Sequence, residues 1–258
     1  MAKDHSLPYI NFLHSPTVSL QATEAGRPFH IHRDLLASKS KSLSAAFERG
    51  FQEALQGVYT FQDTSEGTIA RFIEWAYTGD YPATIVPAQP TGELAKKEES
   101  NETDKVLTVI GAQPTATPMP SNHPLPAHMR MYIFGAIYLI PSLRSLAFER
   151  VTACFTELDK PGNLDTQLAV IAALRLAFRK LLSDDPLLDW LAQYAAYSIE
   201  KLRVQRDFHD LLLESPELSS RMVLSLIPGQ QPPWESPPRR FTFGKYVPGT
   251  EYEDESEY

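Results

Sequence analysis

Between Arg27 and Pro82 the spacing of apolar residues changes period several times within a short span, and few folds accommodate that sequence of changes. Pro28 to His32 is a short apolar and aromatic run preceded by Gly26, which reads as a strand entered from a turn. Asp34 suits a helix N-terminus, where a carboxylate accepts unpaired backbone N–H groups and meets the positive end of the dipole. Leu43, Ala46 and Phe47 recur at helical spacing, and Gly50 offers a left-handed cap after them. Val58 to Phe61 reads as a second strand. Asp63 stands three residues before Glu66, in a capping pattern, and Ile69, Phe72, Ile73, Ala76 and Tyr77 then follow at the spacing of one helical face until Gly79 stops it. Phe72 and Trp75 are expected in the core. Strand, helix, helix, strand, helix is an α+β order that suits a small mixed sheet flanked by helices.

The rest of the chain is read against that unit. With 258 residues and 43% hydrophobic content, the chain can bury one full core or two modest ones. Its net charge of −8 argues against nucleic acid as a partner, and the densest basic spots, Lys96-Lys97 and Arg239-Arg240, are only pairs. The single cysteine, Cys154, excludes an internal disulfide and a cysteine-rich zinc site, which fits a reducing cytosolic or nuclear setting. The N-terminus lacks the uninterrupted apolar core of a signal peptide, and no apolar run is long enough to span a bilayer, so no membrane partner is expected.

Residues 83–127 read as an insertion loop. The stretch from Pro82 to Ala127 holds eight of the 21 prolines together with the polar run TGELAKKEESNETDK, which cannot bury enough surface to order itself. VLTVIGA at 106–112 is the one strand-like piece within it. Residues 229–258, proline-rich and then acidic, read as a disordered tail. Between these segments the pattern is helical. One stripe is Met131, Phe134, Gly135 and Tyr138, and Pro141 opens a second, Leu143, Leu146, Ala147, Val151 and Cys154. Beyond residue 150, stripes through Leu168 and Ile171, Leu187 and Tyr194, Phe208 and Leu211, and Met222 predict four more helices.

Chemical sites are sparse. His30 and His32 share one face of a strand at a spacing able to bind metal, but no third ligand stands nearby, and a structural role is the simpler reading. Cys154 lies on an apolar stripe as an inert thiol. Asp184-Asp185 before Pro186 look like a helix cap and not like paired acid/base carboxylates. No pattern for a catalytic nucleophile, a metal site, a phosphate loop or a dinucleotide cofactor occurs, so no cofactor is expected and the chain does not read as an enzyme.

The residues from the strand ending at His32, through Leu35-Leu36 and Ser40, Phe47-x-x-Gly50-Phe51-x-Glu53 and Val58–Phe61 to Trp75-Ala76-Tyr77-Thr78-Gly79, resemble a BTB (POZ) domain. The run YIFGAIYLIPSLRSLAFERV continues the likeness, with Tyr132, Gly135, Tyr138, Ile140, Pro141 and Leu143 at the positions of the paired helices that close such a domain. The stretches DDPLLDWLAQYAAYSIEKL and DFHDLLLESPELSSRMVLSLI are similar to the C-terminal extension of many fungal BTB proteins. The resemblance implies a BTB/POZ fold over residues 15–150 carrying the insertion at 83–127, an all-α extension over 151–228 and the tail at 229–258. It departs from the family at Ser40-Lys41-Ser42-Leu43, where a proline and aromatics are usual, and before Thr17, where an Asp is common. It implies a non-enzymatic protein-interaction module, with a cullin or a second copy of the chain as the partner. BTB adaptors of cullin-type ubiquitin ligases carry a hydrophobic-x-Glu motif in the loop after the helix that is expected to end at Gly50. Here that motif is Phe51-Gln52-Glu53, with the chain around Tyr132 completing the docking surface. Two readings of it stand: Phe51 fills a partner pocket with Glu53 at the rim, or Phe51 packs under the next strand and Glu53 is merely solvated. The alternative function is a self-associating regulatory or transcription-associated scaffold without a ligase.

Overall fold

In a computed structural model of the chain, residues 12–23, 26–47, 52–84 and 123–225 are described. Strands β1 (Thr17–Gln21), β2 (Phe29–His32) and β3 (Val58–Thr60) form a sheet in the order β2-β1-β3. β1 runs antiparallel to β2, with Thr17 opposite His32, and parallel to β3, with Ser19 beside Val58. Val18 and Leu20 alternate inward while Thr17 stays exposed and Ser19 and Gln21 are half-buried, as a sheet with one covered face requires. The parallel pair needs a long crossover, which helices α1 (Arg33–Lys39), α2 (Lys41–Ala46) and α3 (Gln52–Gln56) occupy.

From β2 onward the expected order is present with one element more, α3, and with different caps. Glu53 lies in the first turn of α3 rather than in a loop; that helix closes at Gly57, whose φ is 66° and whose N–H donates to the Glu53 carbonyl at 2.8 Å. Helix α2 ends at Phe47 in ordinary right-handed geometry, while Gly50, expected as its cap, lies outside the described residues. At the Ser40 junction, where the resemblance leads one to expect a proline and aromatics, the Ser40 Oγ accepts the Leu43 N–H at 3.2 Å and donates to the Tyr138 carbonyl at 3.2 Å, so hydrogen bonds fix the joint. Asp34 sits in the first turn of α1, as expected, but that end is satisfied by Pro16 and Ser15, to whose oxygens the Arg33 and Asp34 N–H groups donate.

Helix α4 (Glu66–Thr78) carries Ile69, Phe72, Trp75 and Ala76 into the core, and Gly79, at φ 81°, ends it by donating to the Trp75 carbonyl at 2.8 Å. Its N-cap is Ser65 rather than Asp63: Ser65 stands directly before the first helical residue, where its Oγ accepts the Thr68 N–H at 3.3 Å. Asp63 stands two residues too early and accepts from Lys180 Nζ at 2.9 Å.

The chain is helical from Pro124: α5 (Pro124–Ile137), α6 (Pro141–Leu158), α7 (Leu164–Lys180), α8 (Pro186–Tyr197), α9 (Ile199–Leu202), α10 (Arg206–Glu214) and α11 (Pro216–Ser225). Prolines open α5, α6, α8 and α11, where a missing N–H has no intrahelical partner to lose. Residues 124–127, expected within the insertion, form the first turn of α5, with Leu125, Pro126 and Ala127 buried; Pro124 and Pro126 are initiators there and not signs of a loop. The remaining insertion beyond Thr84, including 106–112, and the tail lie outside the described residues. The expected division at residue 150 falls inside α6, which crosses it without a break.

Helix α5 holds the two halves together. It packs on α4 of the sheet-bearing half, on α6 and on α7. It is buried on nearly every side, beyond the single stripe that the sequence suggested, with His128, Met129 and Ile133 also inside. Gly135 makes the contact with α6 possible: a Cβ there would come within 2.9 Å of the Arg144 backbone nitrogen. One continuous core runs from Val18 and Leu20 of β1 through Phe72 and Phe134 to Leu191, Tyr194 and Met222 of the last helices.

Candidate protein-interaction surface

Of the three residues singled out for partner binding, Glu53 is half-buried on α3, Tyr132 is fully buried on α5, and Phe51 lies outside the described residues. Tyr132 is placed by a polar cluster that joins three helices. Its hydroxyl donates to Asp185 Oδ1 at 2.8 Å and accepts from Arg144 Nε at 3.2 Å, while Arg144 Nη2 reaches Asp185 Oδ2 at 2.8 Å. Asp185 Oδ1 also accepts the Leu187 N–H at 3.0 Å, so the expected helix cap is real, and the same carboxylate ties α8 to α5 and α6. Burial pushes the Tyr132 hydroxyl far above the ordinary tyrosine range, and the negative charge of Asp185 adds to the shift. The ring therefore has no free surface in this structure; it positions α5.

An exposed apolar surface lies next to this framework, at the turn between α5 and α6. Ile137 is 51% exposed and Leu139 75% exposed. Leu139 has φ 53°, a left-handed conformation uncommon for leucine. The turn is nonetheless pinned: the Ile140 N–H donates to the Gly135 carbonyl at 2.8 Å, and Ser40 Oγ holds the Tyr138 carbonyl. Tyr138 packs edge-on against Phe61 with centroids 5.3 Å apart, and Phe61 packs in turn on Tyr59 of β3 at 4.8 Å. β3 in turn continues through Gly57 from α3, which carries Glu53 and the 84% exposed Leu55. Local packing thus links the helix of the Glu53 motif to the aliphatic turn. Sequence reasoning missed Leu55, Ile137 and Leu139 as surface residues, because each is a large apolar residue at a helix end, where spacing alone does not tell core from solvent.

The other candidates take structural places. His32 Nδ1 lies 2.6 Å from the Tyr77 hydroxyl on edge strand β2, and His30 Nδ1 lies 3.1 Å from Ser19 Oγ. Among the described residues no group of three potential ligands is placed to hold a metal ion. Cys154 is half-buried, and burial followed by Glu157 raises its thiol pKa, which works against a thiolate. Among the described residues no helix is long and apolar enough to cross a membrane.

Residues 12–101, about a third of the chain, match the BTB/POZ domain family. No curated protein and no solved structure matches the chain significantly. The mixed sheet with its surrounding helices is a BTB/POZ domain, a general protein-protein interaction module, and it is followed by an all-helical region.

Proposed function

We propose that this protein is a non-enzymatic adaptor whose BTB/POZ domain docks on a cullin scaffold through Phe51, Glu53 and the α5–α6 turn. The observation that supports the reading is the turn itself. Two large aliphatic side chains, Ile137 and Leu139, are held in water on a rigid backbone, one of them in a strained conformation. Preformed apolar anchors of this kind lose little entropy on binding and suit a partner pocket, while a glutamate at the edge orients the contact. Tyr132, buried beneath, holds α5 in place for that contact. On this reading the helical region after α5 presents the client and the setting is cytosolic or nuclear.

The test is capture of a purified cullin N-terminal domain by the full chain. Leu139→Asp and Phe51→Ala should each weaken capture by about thirtyfold or more, the effect of losing a buried anchor, with Glu53→Ala weaker in effect and all circular dichroism spectra unchanged. If the folded wild type shows no binding at micromolar cullin, the adaptor reading fails. A dimer in sedimentation that Leu139→Asp dissolves would then favour the self-associating scaffold.

A further inference from the structure

Four half-buried arginines of the described residues have carboxylate partners: Arg144 with Asp185, Arg150 with Asp80, Arg175 with Glu214, and Arg221 with Asp189 and Glu217. Arg33, which donates to the Phe47 carbonyl at 3.2 Å, has no such partner, and neither have Arg71 and Arg130. The Arg71 guanidinium is held by three carbonyl oxygens, donating to Gly67 at 3.1 Å, Pro82 at 2.9 Å and Ala83 at 2.9 Å, none of which carries a full charge. Arg130 is the one residue between Leu125 and Gly135 of α5 that is not buried, and it has neither an ion pair nor a hydrogen bond among the described residues. Arg71 stands on α4 and Arg130 on α5, which pack together; the positive charge of Arg130 works against that of Arg71, and burial opposes the charge of both. His128, two residues before Arg130, is buried against the Tyr81 hydroxyl at 3.2 Å, with burial and then the charges of Arg150 and Arg71 keeping its imidazole neutral, so it adds no positive charge. Nearby negative charge comes from Glu74, which faces Arg71, and from Asp80, already paired with Arg150. A half-desolvated cation pair short of carboxylates is a ready site for an acidic segment.

We infer that the acidic C-terminal stretch of this chain, Glu251–Tyr258, docks on the Arg71–Arg130 surface beside α5. Charge complementarity selects that occupant. The stretch EYEDESEY carries five acidic residues and no lysine or arginine, whereas the acidic run at 93–105 is diluted by Lys96, Lys97 and Lys105. Reach is sufficient. Residue 251 lies 26 positions beyond Ser225. A flexible chain of that length has a root-mean-square span of about 28 Å and a limit near ~85 Å, against a diameter of about 40 Å for a domain of the described size. Tethering gives the tail an effective concentration of about a millimolar, so a weak charged contact is enough to populate the docked form. A tail lying there also lies against the stem from which residues 80–84 leave the domain.

The test places a paramagnetic label at residue 256 of the full chain, by Ser256→Cys in a Cys154→Ser background, and reads attenuation of backbone amide signals. At low salt the amides of residues 127–134 should be attenuated at least twofold relative to the reduced label. Raising the salt to about half molar, where screening shortens the range of the charges, should remove most of that effect. Arg130→Glu should abolish it, and so should replacing the five tail carboxylates with amides. Attenuation that survives Arg130→Glu, attenuation confined to other surfaces, or no attenuation at all each overturns the assignment. So does loss of the effect when residues 93–105 alone are neutralised, because the site would then belong to that run.

Discussion

The sheet-bearing half and the helical half of this molecule share one core but fill it differently. Around the sheet, a few large rings do the packing: Phe72 stacks beside Trp75 with centroids 6.1 Å apart, Phe134 lies 4.9 Å from Phe72, and Phe61 bridges Phe134 and Tyr138. In the helical half, α7 presents Ala169, Ala172, Ala173 and Ala177, small residues that bring helices close, with one aromatic group, Phe155, Trp190 and Tyr194, at the far side. The comparison teaches that the first half depends on volume and the second on proximity. A three-stranded sheet offers little area, so each buried side chain must be large, whereas antiparallel helices gain contact along their whole length when small residues let them approach.

The largest expected effect separates these modes of packing. Phe72 is fully buried among rings that cannot collapse into its space, so Phe72→Ala should destabilise the protein by about 3–5 kcal/mol, enough to unfold a marginal domain. Because the core is continuous, thermal unfolding followed separately through Trp75 and Trp190 should fall together in that variant. If the Trp190 signal kept its wild-type transition, the two halves would be independent units and the comparison would be one between domains.

A second test uses acid. Burial, with the nearby charges of Arg150 and Arg71, holds His128 down to a pKa of about 4. The unfolded chain takes up that proton near 6.5 and the folded chain does not, so between those values the unfolded state binds more protons and stability falls as the pH falls. The loss attributable to this one group approaches ~3 kcal/mol at its upper limit by pH 4. Unfolding by urea between pH 7 and pH 4.5 should show a steeper loss in the wild type than in His128→Gln, and equal slopes would show that the imidazole is hydrated in the folded protein.

A third test concerns the joint between the halves. Asp185→Ala removes the acceptor for Tyr132, Arg144 and the Leu187 N–H together, and loss of hydrogen bonds to a buried charged group costs about 2–3 kcal/mol. Tyr132→Phe removes only one of these bonds and should cost about 1 kcal/mol. A double-mutant cycle in calorimetry should find the two changes strongly non-additive, and simple additivity would mean that the cluster is not one network.

The sequence made much of this visible and hid the rest for physical reasons. Helix α4 was legible from Ile69 to Gly79 because its apolar face and its glycine stop are both local signals, and the two short strands suggested a mixed sheet, although each of them pairs with β1 and not with the other. Helix α5 was only half legible. Burial on every side leaves no polar face to mark a period, and Pro124 and Pro126 resemble loop residues until the partner helices are known. The motif singled out Glu53, whose place on a helix depended on Gly57, and Tyr132 was expected near the docking surface, whereas packing from α6 and α8 encloses it. The long-range bonds of Asp185 and Asp63 span dozens of residues, and no spacing rule reports them.

The smallest effect tests the local reading against the tertiary one at the start of α4. A carboxylate two residues before Ser65 looks like a cap in the sequence, yet the geometry gives the capping bond to Ser65 and leaves Asp63 in an exposed pair with Lys180. Lys180 lowers the pKa of Asp63 by hydrogen bond and by charge, but the carboxylate is in water, where such a pair is screened and contributes little. Ser65→Ala should therefore cost about 1 kcal/mol, the usual loss for an N-cap, while Asp63→Ala should leave the thermal midpoint where it is. The opposite ranking would mean that Asp63 caps the helix in solution. The contact of α7 with the sheet-bearing half through Lys180 would then be a feature of one conformation only, and the joint between the halves would rest on α5 and Asp185 alone.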